Sequence, residues 1–395
     1  MRNESPASHH LYVHVPFCRL VCAYCDFVTV GGRADDIPRY TEALRAELTE
    51  RPAPGELRTI YFGGGTPSLL SGDQVGRLIT AATDRWEHVS LEEITVEANP
   101  SLREVPDWDG FAGAGVTRIS LGVQSLRDAD LHALARGHTA AEARQAFAAA
   151  RAAGIGDISV DLIYGIPGQS LEDWREGLER AIELGPDHLS CYALQLVLSP
   201  DEWAAPPRPG AQRWRSQMAD RQDDGLASDQ YRLAEEVLGS VGFAHYELSS
   251  WARPGHQSRH NSAYWARHAY TGVGAGAHSY DGVAGRSWNV RELDRYLGAA
   301  EARLRPIDGC EELDPETLAF EALALSLRRV EGISRAAFRE EFGADPVDRY
   351  AGAVLATTAD ALLEVDGDVM RLTQDGRLMA SEVLVAFLPE PAGRR

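Results

Sequence analysis

Lysine is absent from this 395-residue chain, so all 39 of its Lys-plus-Arg positions are arginine. We read that absence as compositional bias rather than as a functional signal. Acidic residues number 59 and the formal net charge is −20. That balance argues against nucleic acid or an anionic membrane as the main partner, because both attract basic surfaces. No apolar run approaches the roughly 18 residues of a spanning helix. Residues 1–10 are polar, without the apolar core of a secretory signal. Peripheral contact with a membrane surface stays open. Cysteine is scarce too: five in the whole chain, not the paired spacings of a small secreted disulfide framework. What remains is ordinary soluble globular composition, 44% hydrophobic and 25% charged. The length exceeds what one core usually fills, so one large barrel-like domain plus a smaller one is expected.

Three of the five cysteines fall within eight residues, as Cys18, Cys22 and Cys25 in a C-x3-C-x2-C run. Thiolates are the usual ligands of iron–sulfur clusters, and a four-iron cubane offers four iron corners. Three protein ligands leave one iron open to a small chelating ligand bearing an amine and a carboxylate. Structural zinc is the competing thiolate chemistry, but it takes four ligands, commonly as paired C-x2-C units, and no second pair occurs. A site-differentiated [4Fe–4S] cluster is therefore expected. A reducing cytoplasm suits both free thiols and such a cluster. Cys191 reads as a buried small apolar group and Cys310 as incidental in its turn.

Short apolar runs alternate with helical stretches through the first half. Strands are predicted at 11–15, 59–62, 93–98, 117–122, 158–164 and 188–193, and helices at 38–49, 73–86, 139–153 and 171–184. Repeated β-α units require a parallel sheet with right-handed crossovers, here an α/β fold with a partial parallel (β/α)6 TIM-like barrel over 11–198. Cys18, Gly63 to Thr66, Glu97, Gln124, Asp161 and Gln195 lie at or just past predicted strand ends. In parallel barrels that end carries the active site. Six such positions point to one mouth. Residues 200–215 read as a surface loop, 223–241 as an amphipathic helix and 244–248 as a strand. The glycine-rich 272–278 closes the barrel edge, and the core extends to 290. Residues 291–395 form a small, mostly helical, winged-helix-like domain, with helices at 314–328, 334–342 and 347–358 and a hairpin at 363–372. Its acidic character argues against DNA.

Gly63-Gly64-Gly65-Thr66-Pro67 follows the second strand. Glycines let a ligand approach the bare backbone. No Gly-Lys-Ser follows, so this is not a nucleotide phosphate loop.

Together, Cys18-x3-Cys22-x2-Cys25 with Tyr24 before the last cysteine, and the glycine run after it, resemble the signature of radical S-adenosylmethionine (SAM) proteins. The stretches 12–18, 61–68, 97–100, 121–125 and 161–168 are similar to the oxygen-independent coproporphyrinogen III oxidase group. Within it, the decarboxylase carries a further cysteine two residues after the third, where this chain has Phe27, and a long extension where only ten residues precede Leu11. Both departures match the haem chaperone branch. His260-Asn261-x-x-Tyr264-Trp265 resembles the motif that branch uses for haem.

The resemblance implies roles. Cys18, Cys22 and Cys25 hold the cluster, and Tyr12, Tyr24, Gly64 and Glu97 touch SAM. Gly65, Thr66, Gln124, Arg136 and Asp161 line the cofactor pocket, with one or two SAM molecules left open. His260, Asn261, Tyr264 and Trp265 bind haem, since imidazole is a common axial ligand and aromatics cover the macrocycle. The implied partners are haem and haem-accepting proteins. The alternative is an enzyme generating a 5′-deoxyadenosyl radical, either the decarboxylase or a related aromatic C-methyltransferase. Taken singly, Glu97 and Asp161 read equally as helix caps or partners of Arg118 and Arg136. Tyr12 and Tyr24 alone read as core aromatics.

Overall fold

Alternation along the strands sorts the first half of the chain into two faces. In β1 (Ser8–Val15), Leu11, Val13 and Val15 are fully buried, while His10, Tyr12 and His14 occupy the opposite face. In β2 (Glu56–Gly64) Ile60 and Phe62 oppose Thr59 and Tyr61, and in β3 (Glu93–Ala98) Ile94 and Val96 oppose Thr95 and Glu97. Strands β4 (Arg118–Gln124), β5 (Asp157–Tyr164) and β6 (His188–Ala193) set Leu121, Val160 and Leu189 against Ser120, Asp161 and Ser190. The computed structural model describes residues 8–89, 91–101, 103–196 and 209–388. It pairs these six strands in sequence order, all parallel.

Helices α1 (Ile37–Glu50), α2 (Gly72–Arg85), α3 (Trp108–Gly113), α4 (Asp128–Ala133), α5 (Ala140–Ala152) and α6 (Leu171–Glu183) fill the crossovers. Ser71, Thr139 and Ser170 start α2, α5 and α6 with reciprocal capping boxes to Gln74, Glu142 and Asp173. The apolar strand face joins Leu44, Leu78, Phe147 and Leu178 of these helices in one core. Each such side chain contributes about 1.5–3 kcal/mol when fully buried. That layer holds the fold and leaves the concave face free to carry polar groups. Parallel strands packed on both faces read instead as unbroken apolar runs.

After β6 come α7 (Pro209–Ala219), α8 (Asp224–Ser240), β7 (Ala244–Glu247), β8 (Ser250–Ala252), α9 (Arg259–Trp265), β9 (Ala269–Val273), β10 (His278–Tyr280), β11 (Gly285–Asn289), α10 (Leu293–Glu301) and β12 (Ile307–Glu312). The full sheet has 12 strands in the order β12-β11-β10-β9-β1-β2-β3-β4-β5-β6-β8-β7. Strand β9 pairs parallel to β1, so the glycine-rich segment extends the sheet beyond its first strand. A second core unites α11 (Pro315–Leu327), α12 (Arg335–Phe342), α14 (Ala351–Ala359) and α16 (Ala380–Ala386) with a small sheet of β13 (Ile333–Ser334), β14 (Leu363–Asp366) and β15 (Val369–Leu372). The short helices α13 (Pro346–Arg349) and α15 (Gln374–Leu378) complete it.

Two expectations change. The segment 200–215 was expected as a loop; 200–208 lie outside the described residues, and from Pro209 onward the chain is helix α7. Proline is tolerated at a first helical position, and 211–219 hold no further breaker. Second, the large sheet runs past 290: β12 pairs with β11, and α10 packs its Tyr296 against Tyr40 of α1. Nearly every residue of β12 is exposed, so it shows no apolar period.

Candidate functional site

The cysteine loop follows β1 and is closed at its base by a parallel pairing of Phe17–Cys18 with Val30–Gly31. A turn from the Cys25 N–H to the Cys22 carbonyl (3.2 Å) folds it back. The glycine run is zipped beside it: the Gly65 N–H donates to Val15 (2.8 Å) and the Thr66 N–H to Phe17 (2.8 Å). A β-carbon on Gly65 would lie 2.6 Å from the Pro16 carbonyl oxygen. Gly64 has φ +115°, and a β-carbon there would sit 2.5 Å from the His14 ring. Only glycine fits both positions.

One cavity of about 350 Å³ gathers Cys18, Cys22 and Cys25 with Gly64, Gly65, Thr66 and Glu97. Tyr24, Gln124, Arg136, Asp161 and Gln195 line the same space, as does Asn261 of α9. Thirteen positions singled out in the sequence, on separate strands and loops, thus share one mouth. Asp161 sits deeper than a strand end, midway along β5, where the Ser120 hydroxyl donates to its carboxylate (2.9 Å). Gln124 ends β4 with φ +66°, a left-handed conformation uncommon outside glycine.

Arg136 organises the rim. Its guanidinium donates to Cys22 Sγ (3.0 Å), the Tyr24 hydroxyl (3.3 Å), Asn99 Oδ1 (2.8 Å) and the Gly122 carbonyl (3.0 Å). The Thr66 hydroxyl donates to Cys18 Sγ (3.5 Å). Glu97 accepts from the Tyr61 hydroxyl (2.8 Å) and the Gly64 N–H (3.0 Å), yet burial pushes its carboxyl up to about 7. Burial likewise raises the Cys18 thiol to about 12 and Cys25 to about 11. Without metal both are protonated at neutral pH, so a soft cation must displace protons to bind there. All three thiols are free, and with no competing disulfide the donor set fits iron–sulfur ligation.

One support lay outside the sequence reading. Arg215 of α7, only 7% exposed, donates to the Ala23 carbonyl (2.8 Å) and the Cys25 carbonyl (3.1 Å), and ion-pairs with Asp26. Its neighbour Trp214 lies 6.4 Å from the Tyr24 ring. The only signal was an arginine in a stretch with no clear period.

Tyr12 departs from the group. It lines a second cavity, and its hydroxyl donates to His14 Nδ1 (3.0 Å), whose Nε2 donates to the Val28 carbonyl (2.8 Å). The four haem-motif residues also separate. His260 is 1% exposed, with Nδ1 hydrogen-bonded to Thr59 (2.7 Å) and Nε2 to Tyr264 (2.9 Å), and it lines neither cavity. Glu93 anchors this helix start by accepting from the Arg259 N–H (2.8 Å) and the His260 N–H (3.1 Å). Asn261 faces the cysteine cavity, and Tyr264 and Trp265 face the second one.

Residues 12–181 match the radical SAM superfamily model and 313–379 the HemN C-terminal domain model. The chain is 38% identical over 386 residues to the haem chaperone HemW of Mycobacterium tuberculosis, covering 96% of this chain and 94% of that one. It is 32% identical over 389 residues to the haem chaperone HemW of Escherichia coli, covering 96% and 98%. The mouse mitochondrial radical S-adenosyl methionine domain-containing protein 1 is 31% identical over 393 residues, covering 96% and 87%. The solved structure of Escherichia coli coproporphyrinogen III oxidase (HemN), a radical SAM enzyme, superposes with a TM-score of 0.82 at 23% identity, covering 98% of this chain and 91% of that one. This last likeness is one of fold. Matched along nearly their whole length by relatives above 30% identity, these residues belong to the HemW family of radical SAM proteins.

Proposed function

We propose that the chain binds haem and passes it to haem-accepting proteins of a reducing cytoplasm, on a scaffold that also holds a [4Fe–4S] cluster and SAM. The observation that carries this reading is the near-full-length similarity to haem chaperones from distant bacteria. Phe27 supports it, standing 68% exposed where the decarboxylase-like pattern has a fourth cysteine.

Cys18, Cys22 and Cys25 would hold the cluster. Gly64, Gly65, Thr66, Glu97, Gln124, Arg136, Asp161 and Tyr24 would hold SAM, with Tyr12 acting through His14. Cluster and SAM together supply one-electron chemistry when bound. The protein's part is orientation and charge. Gly64 offers bare backbone, Glu97 a buried carboxyl able to meet an amine, and Arg136 a guanidinium able to meet a carboxylate beside the thiols. Haem is cargo, so turnover is not required of the site.

The test reconstitutes the cluster anaerobically, titrates in hemin, then supplies coproporphyrinogen III with a reductant. Near-stoichiometric haem binding and no vinyl product is the expected result. Efficient decarboxylation, or no Soret band on hemin addition, overturns the reading. A Cys18→Ser, Cys22→Ser, Cys25→Ser variant is expected to lose iron and sulfide yet keep haem.

A further inference from the structure

A second cavity lies away from the cysteines. About 580 Å³ lies between the β9–β11 side of the sheet and α11, within the usual size of a small-molecule site. Phe27 and Val28 form one wall, Tyr264, Trp265 and Tyr270 another, and Leu318 and Leu325 of the C-terminal domain a third. Arg267, Arg286 and Arg291 also line it, three cations in a chain of net charge −20. Two of them already hold carboxylates, Arg286 that of Glu321 and Arg267 that of Glu341. Aromatic and aliphatic walls with carboxylate-binding guanidinium groups suit a flat, apolar, dianionic guest. Asp26 and Phe27 border this cavity and the cysteine cavity alike.

A single imidazole at the rim is prepared for a metal. His268 lines the cavity and follows Arg267, whose φ is +57°. Its Nδ1 is held by the Ser8 hydroxyl (3.1 Å) and His10 Nε2 (3.3 Å), while Nε2 has no hydrogen bond among the described residues. Ligating histidines characteristically have the other ring nitrogen fixed in this way. The support continues inward: His10 Nδ1 is bonded to Thr59 (2.8 Å), Thr59 to His260 Nδ1 (2.7 Å), and His260 Nε2 to Tyr264 (2.9 Å). Tyr264 returns to the cavity wall. With His268 ligated through Nε2, its Nδ1–H donates to His10 and each later bond donates in the same direction, ending on the Tyr264 oxygen. Burial holds His10 and His260 far below ordinary histidine, so both rings are neutral and can each donate and accept. Two other imidazoles line the cavity: His14, whose ring nitrogens are both taken by Tyr12 and the Val28 carbonyl, and His278, whose ring stacks on Trp288 with no such chain behind it.

We propose that haem binds in this second cavity, with His268 Nε2 as an axial ligand, the arginines meeting the propionates, and His260 acting as a positioning residue through Thr59 and His10. The assignment rests on the haem-binding reading and moves the ligand away from the motif histidine.

The experiment titrates the full-length chain, cluster loaded, with hemin and separately with iron-free protoporphyrin IX. It records Soret position, affinity and low-spin imidazole signature for the native protein, His268→Ala, His278→Ala and Leu318→Trp. Expected for His268→Ala is at least tenfold weaker hemin binding and loss of the imidazole signature, restored by added imidazole. Its affinity for iron-free protoporphyrin stays within about twofold of native. His278→Ala keeps the low-spin imidazole signature, and Leu318→Trp, which fills the cavity, weakens both porphyrins. Unchanged hemin spectra and affinity in His268→Ala and Leu318→Trp overturn this assignment while leaving haem binding intact. A native chain that binds no hemin overturns the functional reading itself. The positioning role is read separately: Thr59→Val is expected to shift the imidazole signature without loss of porphyrin affinity, and an unshifted spectrum overturns it.

Discussion

A single β-carbon at Gly64 would meet the His14 ring at 2.5 Å, on a backbone whose φ of +115° already disfavours any side chain. Such strain costs about 1–3 kcal/mol before the clash is counted. Gly64→Ala is therefore expected to lose about 2–4 kcal/mol of stability, seen as a lower thermal midpoint, and to abolish SAM binding by calorimetry. Glu97 makes a pH-dependent prediction. Its carboxyl is raised from 4.5 to about 7 by burial, so the stability it contributes is full below pH 4.5 and lost as pH rises through about 7. The difference is about 3 kcal/mol at most. Thermal midpoints of the native chain should fall relative to Glu97→Gln between pH 5 and pH 8; a constant offset would contradict the assignment. These residues were legible because spacing and residue type expose thiols, glycines and a strand-end acid. Tyr12 and His260 were not, since no sequence pattern says which of two adjacent cavities a side chain faces, or that both ring nitrogens find partners.

At the scale of elements, helix α7 reaches across to the cysteine loop through Arg215. Outer supports of metal ligands typically matter by about 10–100-fold in metal affinity. Arg215→Leu should weaken cluster retention by about tenfold, measured as iron and sulfide per chain after anaerobic chelator challenge, with secondary structure unchanged. Helices α2, α5 and α6 with their capping boxes, α1 with its early proline, and strands β1 to β6 with their apolar–polar alternation could be read from the chain because these signals are local. Helix α7 and strand β12 escaped because their partners, the Cys25 carbonyl and β11, are remote in sequence. An exposed edge strand such as Ile307–Glu312 has no buried face to show.

At the scale of the molecule, the C-terminal domain is tied to the core partly by Glu235 of α8, which accepts from Arg377 (2.7 Å) and is bonded to His245 (2.9 Å). Burial opposes ionisation of Glu235, but His245, Gln374 and Arg377 outweigh it and lower its carboxyl to about 2. The stability it contributes is present above pH 4.5 and is lost as pH falls through about 2. Glu235→Gln should lower the thermal midpoint by about 2 °C at pH 7 and match the native chain near pH 2. The second, mostly helical core was foreshadowed by the change of pattern towards the C-terminus; the space enclosed between α11 and the sheet was not, because neither core alone encloses it. That space and the cysteine mouth share two lining residues, Asp26 and Phe27, as a common divider. A divider has one position but two neighbours. Were a guest in one room to displace these two residues, linkage would require the other room to answer with equal free energy.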